Sequence, residues 1–144
     1  MLITARGRSA SVDNRGMAGH AVSEDLATWT VQEPWTSEGS GFAQLEVIQV
    51  IEVQGRWALV FSCFPSELAS KRGNGVQSSG MWSVAVDSPT GPYDLTQAAP
   101  LTGSSPYAGK IVASRDGTPV LLASTAHDDQ GNTVGGICDP LPME

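Results

Sequence analysis

Positive charge is scarce in this sequence. Eight Lys and Arg stand against fifteen Asp and Glu in 144 residues, giving a net charge of −7 and an isoelectric point near 4.6. A chain so poor in Lys and Arg carries no electrostatic footprint for nucleic acid or for an anionic membrane surface, so neither is expected as a partner, and a neutral or cationic one is. Cysteine is scarcer still. Cys63 and Cys138 lie far apart, form no Cys-x-x-Cys pair and suggest no zinc framework; both end apolar runs, where a buried free thiol is the plain reading. No apolar run approaches the roughly 20 residues needed to span a bilayer. The opening MLITARGRSA lacks the apolar stretch of a signal peptide, and a cytoplasmic location is expected. The glycine-bearing GNG and GSSP segments read as turns, because no phosphate-loop context with a following helix accompanies them. His20 has no second ligand at metal spacing, and the HDD run at 127–129 reads as a solvated hairpin tip in preference to a metal site. No cofactor and no metal are expected.

What the sequence does hold is short apolar runs separated by its 16 glycines and 9 prolines. No segment keeps a capped helical period for long; SEDLATW at Ser23–Trp29 is expected to form one helical turn at most. The pattern is that of an all-β protein. Three segments resemble one another: MLITAR from Met1, ALVFSC from Ala58 and VLLAST from Val120. The second and third follow the turns QGRW and RDGTP, which themselves follow EVIQVIEV at Glu46–Val53 and AGKIVAS at Ala108–Ser114. A polar loop and a further strand come after each copy. The copies recur roughly every 60 residues, the spacing of four-stranded propeller blades with long loops. The expectation is one domain over 1–144, an incomplete β-propeller of roughly two and a half four-stranded blades, with copies at about 1–35, 42–97 and 105–144. A closed propeller needs at least four blades, so sheet edges are expected to lie exposed and to invite self-association.

Several stretches carry a family resemblance: MLITAR, GHAVSEDLATW, GFAQLEVIQVIEVQGRWALVFSC, VAVDSPTGPYDL and YAGKIVASRDGTPVLLAS. In this order they resemble successive parts of the five-bladed β-propeller glycoside hydrolases of family 32, the β-fructosidase or levanase type, with the arabinan-cleaving family 43 as a cousin. The resemblance covers nearly the whole chain. It implies hydrolysis of O-glycosidic bonds in fructan-like or other furanoside carbohydrates by paired carboxyl groups. It also implies three acidic residues at the channel ends of innermost strands. One of them, the general-acid Glu, matches Glu46 by place; the Glu-Cys-Pro motif usual there is replaced by Glu46-Val47-Ile48. The Arg-Asp-Pro motif is expected just upstream of MLITAR, and the nucleophilic Asp in an earlier blade, so the chain alone is expected to lack both. A non-catalytic carbohydrate-binding or scaffold propeller is the alternative.

The residues themselves allow both a bland and a chemical reading of Glu46. A carboxyl between Leu45 and Val47, with Phe42 nearby, suits a proton donor, since apolar neighbours favour the protonated form; a strand-end Glu facing solvent or an Arg is the bland reading. Gln44 lies on the same face by strand alternation and is a candidate for a sugar hydroxyl. Tyr107 takes the equivalent rim of the next copy, where an aromatic ring can stack on a sugar. Arg6 is a candidate to position a carboxylate. Trp82 is read as a sugar platform or as packing between blades. Trp29, Trp57 and Tyr93 read as structural, and Asp87 and Asp139 as turn caps.

Overall fold

The computed structural model describes residues 1–73, 80–102, 106–127, 130 and 132–143. The chain is all-β. Three antiparallel sheets follow one another along it, and none closes on itself. The first has the order β1 (Leu2–Arg6), β2 (Gly16–Val22), β3 (Thr30–Gln32). The second runs β4 (Glu46–Val53), β5 (Arg56–Ser62), β6 (Met81–Val86), β7 (Ala99–Pro100). In the third, β9 (Pro119–His127) pairs on one side with β8 (Pro106–Ala113) and on the other with β10 (Thr133–Ile137) and β11 (Leu141–Pro142). Among the described residues the sheets hold three, four and four strands, and β7 extends the second a few residues beyond the expected limit near 97.

Local chemistry explains the turns. Gln54 and Gly55 both take positive φ, 51° and 77°, the two-residue turn whose twist matches a hairpin, and Val53 pairs with Arg56 across it. The Ser114–Thr118 turn closes on a Gly117 with φ of 88°, while the Asp116 carboxylate accepts from Ser114 Oγ and from the Thr118 N–H at 3.0 Å. The Ser23–Trp29 segment, expected to give one helical turn at most, forms none. Asp25 Oδ1 accepts from the Ala27 and Thr28 N–H groups at 2.9 and 2.7 Å, so a side chain takes the donors a helix would use. A four-residue helix, α1 (Ser70–Gly73), appears where no helix was expected. The GNG, GSSP and HDD segments lie largely outside the described residues.

Sheet two lies between the other two, and β5 shows why its sequence is apolar at consecutive positions. Leu59 and Phe61 point into one core with Phe42, Leu45, Trp82, Val84 and Ala18 of β2. Val60, between them, points the opposite way and packs with Met81, Ile111, Leu121 and Ala123. A strand covered on both faces is apolar at successive positions, so the alternation of a half-exposed strand disappears; Ser62 at its end is the buried polar exception and is hydrogen-bonded. Arg72 of α1 braces the first core. Its guanidinium lies 4.5 Å from the Phe42 ring centroid and donates to the carbonyls of Ser40, Ala98, Leu95 and Thr96 at 2.8–3.1 Å. Both cysteines are free; Cys63 is wholly buried and Cys138 half-buried. No helix among the described residues is long and apolar enough to cross a membrane.

Edge strands β4 and β8 run beside each other, and side chains tie them together. The Gln49 amide accepts from the Ile111 N–H at 2.9 Å and donates to the Ile111 carbonyl at 2.8 Å. Lys110 Nζ reaches the Ile48 carbonyl at 2.9 Å. An edge strand leaves backbone donors and acceptors without ladder partners, and here a side-chain amide replaces the missing strand.

Candidate functional site

Glu46 is the first residue of β4 and Tyr107 the second of β8. Each sits opposite a serine of the neighbouring strand, Ser62 for Glu46 and Ser124 for Tyr107. Each is followed by a break in register, between Glu46 and Gln49 in one sheet and between Tyr107 and Lys110 in the other. Inside each break stands a non-glycine residue in the left-handed region, Val47 at φ 50° and Ala108 at φ 53°. A bulge of this kind bends the strand and re-aims the side chain beside it. Left-handed backbone is costly for Ala and more so for the β-branched Val, and it persists only where surrounding structure enforces it. Part of that enforcement is visible: the Ala108 N–H donates to Ser62 Oγ of the adjoining sheet at 3.0 Å.

The two bulges bring their side chains together. Tyr107 Oη donates a short hydrogen bond to Glu46 Oε2. The Tyr107 hydroxyl is held well above its ordinary range, first by burial and then by the Glu46 carboxylate, with Glu67 adding to it, so it stays protonated and remains a donor. Its ring lies flat against Phe64, centroids 3.9 Å apart and planes 9° from parallel. Phe64 is nevertheless 46% exposed. Close by, Gln44 Nε2 donates to both oxygens of Glu67 at 2.7 and 2.8 Å, while Gln44 Oε1 accepts from the Arg6 guanidinium. Glu67 ends a 3₁₀ turn, Pro65–Glu67, that starts one residue after Phe64, and its carbonyl accepts from the Ala43 N–H at 2.9 Å. Beneath this cluster burial pushes the Cys63 thiol up to about 11, and the charges of Glu67 and Glu46 push the same way. A thiol so protonated is a poor nucleophile at neutral pH.

Of the residues expected at a site, the fold gathers Arg6, Gln44, Glu46 and Tyr107 at one end of the sheets. Arg6 orients an amide and not a carboxylate, and Gln44 has its amide committed to Arg6 and Glu67. Trp82 is not among them. It is 1% exposed, meets Phe42 edge-on at 5.0 Å, and donates from Nε1 to the Cys63 carbonyl at 3.4 Å. At that burial the ring on β6 fits the packing reading, and the space it borders is the hollow described below, away from Glu46. His20 lies against Trp35, ring centroids 4.4 Å apart. A hollow of about 780 Å³ opens elsewhere, walled by Asp13, Asn14, Ser40, α1 and Ala98–Pro100; the Arg72 donors that face it are taken up by backbone carbonyls. No group of three His, Cys, Asp or Glu with metal-ligand geometry occurs among the described residues.

Phe64 and Glu67 escape sequence reasoning because they sit in the polar loop after β5, where no strand period marks a face. The available signal is FPSE itself: a large aromatic left outside the apolar run and a carboxylate three residues on. Neither the models of known protein families nor the curated proteins match this chain.

Proposed function

We propose that the three sheets are adjacent blades of a β-propeller and that the end carrying Glu46 is the sugar-binding end of a glycoside hydrolase that cleaves fructan-like or other furanoside linkages. In this reading β4 and β8 are neighbouring channel-lining strands. In its protonated form Glu46 gives the proton on the oxygen that Tyr107 leaves free to the departing glycosidic oxygen, as the anomeric C–O bond breaks and the second carboxylate that the family resemblance implies attacks the anomeric carbon; Tyr107 holds the Glu46 carboxyl at a fixed angle through the other oxygen. The observation that carries the reading is the doubled bulge. Two neighbouring edge strands spend backbone strain at the same position, and the side chains beside the two strained residues meet in one hydrogen bond. A packing role alone gives no reason for strain at matched positions.

The test is hydrolysis of sucrose, levan, inulin and arabino-oligosaccharides by the purified chain and by a version extended upstream to carry the two further carboxyl groups that the family resemblance implies. Activity of the extended protein on one of them, lost by about 10²-fold or more in Glu46→Gln, is the expected result. An inert protein that also binds none of these sugars ends the reading. The second reading, a non-catalytic carbohydrate-binding propeller, is favoured by one feature: two-carboxylate hydrolysis needs a partner carboxyl, and Glu67 has both oxygens engaged by Gln44. It predicts calorimetric binding of these sugars by the wild type with no turnover.

A further inference from the structure

The Phe64–Glu67 turn presents two different sugar-compatible groups near Glu46, each held by a residue of the candidate site. Phe64 is a large apolar side chain nearly half exposed although a buried core lies directly beneath the neighbouring Cys63. One face of its ring is covered by Tyr107 in a parallel stack, so the surface left open is the opposite face. Glu67 is half-buried, and its carboxylate is gripped by a single amide nitrogen that touches both oxygens. One amide nitrogen takes at most one acceptor site on each oxygen and leaves about half of the sites of an ionised carboxylate for other donors. Gln44 in turn is kept from rotating by Arg6, so the carboxylate is presented at a fixed angle.

A flat apolar face and a carboxylate on one short turn are the pair of groups that a polyhydroxylated ring uses. Its C–H face stacks on the aromatic surface, and adjacent hydroxyls donate to the two oxygens. We infer that Phe64 and Glu67 form a second sugar subsite adjoining the one at Glu46, which makes the chain a binder of oligosaccharides in preference to single sugar units or disaccharides. This inference rests on the function proposed above. It assigns Phe64 and Glu67 to the neighbouring sugar unit and leaves proton transfer with Glu46.

Chain-length dependence separates the two ideas. The Glu46→Gln variant, which cannot turn substrate over, is titrated calorimetrically with the disaccharide, trisaccharide and tetrasaccharide of whichever series the protein binds. Affinity is expected to rise on going from two to three units. Adding Phe64→Ala or Glu67→Gln is expected to abolish that rise, lowering trisaccharide affinity by about 10-fold and disaccharide affinity by a clearly smaller factor. Circular dichroism and the urea midpoint of each variant confirm that it is folded; Phe64→Leu, which keeps an apolar side chain without the flat face, is expected to behave as Phe64→Ala. Affinity that is flat with chain length, or a rise that survives both substitutions, overturns the subsite while leaving Glu46 chemistry intact. Failure to bind any saccharide removes both proposals together.

Discussion

Val47 and Ala108 hold the least comfortable backbone at the candidate site, and they differ in what can be learned from them. Val47 has a half-buried branched side chain, so replacing it changes strain and burial together. Ala108 has only a methyl group to lose. Left-handed φ costs an L-residue about 1–2 kcal/mol, part of which glycine returns through its larger unfolded-state entropy. Ala108→Gly is therefore expected to raise the free energy of unfolding by about 0.5–1 kcal/mol in urea titration. An unchanged or lower midpoint would show that Ala108 stores no strain. Glu46 was legible as an anomaly in the sequence, a carboxylate inside an apolar run, and Tyr107 as its counterpart in the next copy. Their meeting was not legible, because it depends on two bulges that no residue type announces: neither Val47 nor Ala108 is the glycine that such φ values favour. Trp82 allows both a platform and a packing reading from sequence, which shows that a residue is large but not that both faces of its strand are covered.

At the scale of elements, the joint between β4 and β8 rests on Gln49. The Ile111 N–H and carbonyl have their partners in this one amide. Removing it leaves two backbone groups of a buried residue without partners, each costing about 1–3 kcal/mol. Gln49→Leu is expected to destabilise the chain by about 2–4 kcal/mol, read from the chemical denaturation midpoint; a loss below about 0.5 kcal/mol would mean that water replaces the amide freely. The strands and their order were readable, since apolar runs bounded by Gly and Pro mark ten-residue units, and the repeats at 46–63 and 108–125 fall on the hairpins β4–β5 and β8–β9. The short elements were not. The Ser23–Trp29 segment was outcompeted by its own Asp25 carboxylate, and α1 is too brief to carry a period. Asp25 and Asp116, both held at about 2 by hydrogen bonds from neighbouring N–H and hydroxyl groups, favour the folded turns above the ordinary aspartate range and lose that effect as pH falls through 2.

For the molecule as a whole, the buried Cys63 thiol ties stability to alkaline pH. Its folded value is raised to about 11 from 9.0, chiefly by burial. The unfolded chain therefore gives up the proton first. The contribution is complete below pH 9 and is lost as pH rises from 9 through 11, on the order of 2–3 kcal/mol at the limit. Urea midpoints at pH 8, 9 and 10 are expected to fall more steeply for the wild type than for Cys63→Ala. Tyr107, also raised, adds its own loss only above about pH 10, where an ordinary tyrosine ionises. Equal slopes for the two proteins would show that the thiol is hydrated in solution. Exposed Val31 on β3 and Val134 and Ile137 on β10 leave apolar side chains on outermost strands, where unpaired backbone invites a neighbour. The same geometry makes the grip of Gln49 on Ile111 a key with one seating. A single amide that satisfies both the donor and the acceptor of one residue cannot be satisfied halfway along. The next equivalent docking lies two residues off, about 6.7 Å along the strand. Sheets two and three are thereby indexed to one another, and the partnership of Glu46 and Tyr107 is decided three to four residues away from either of them.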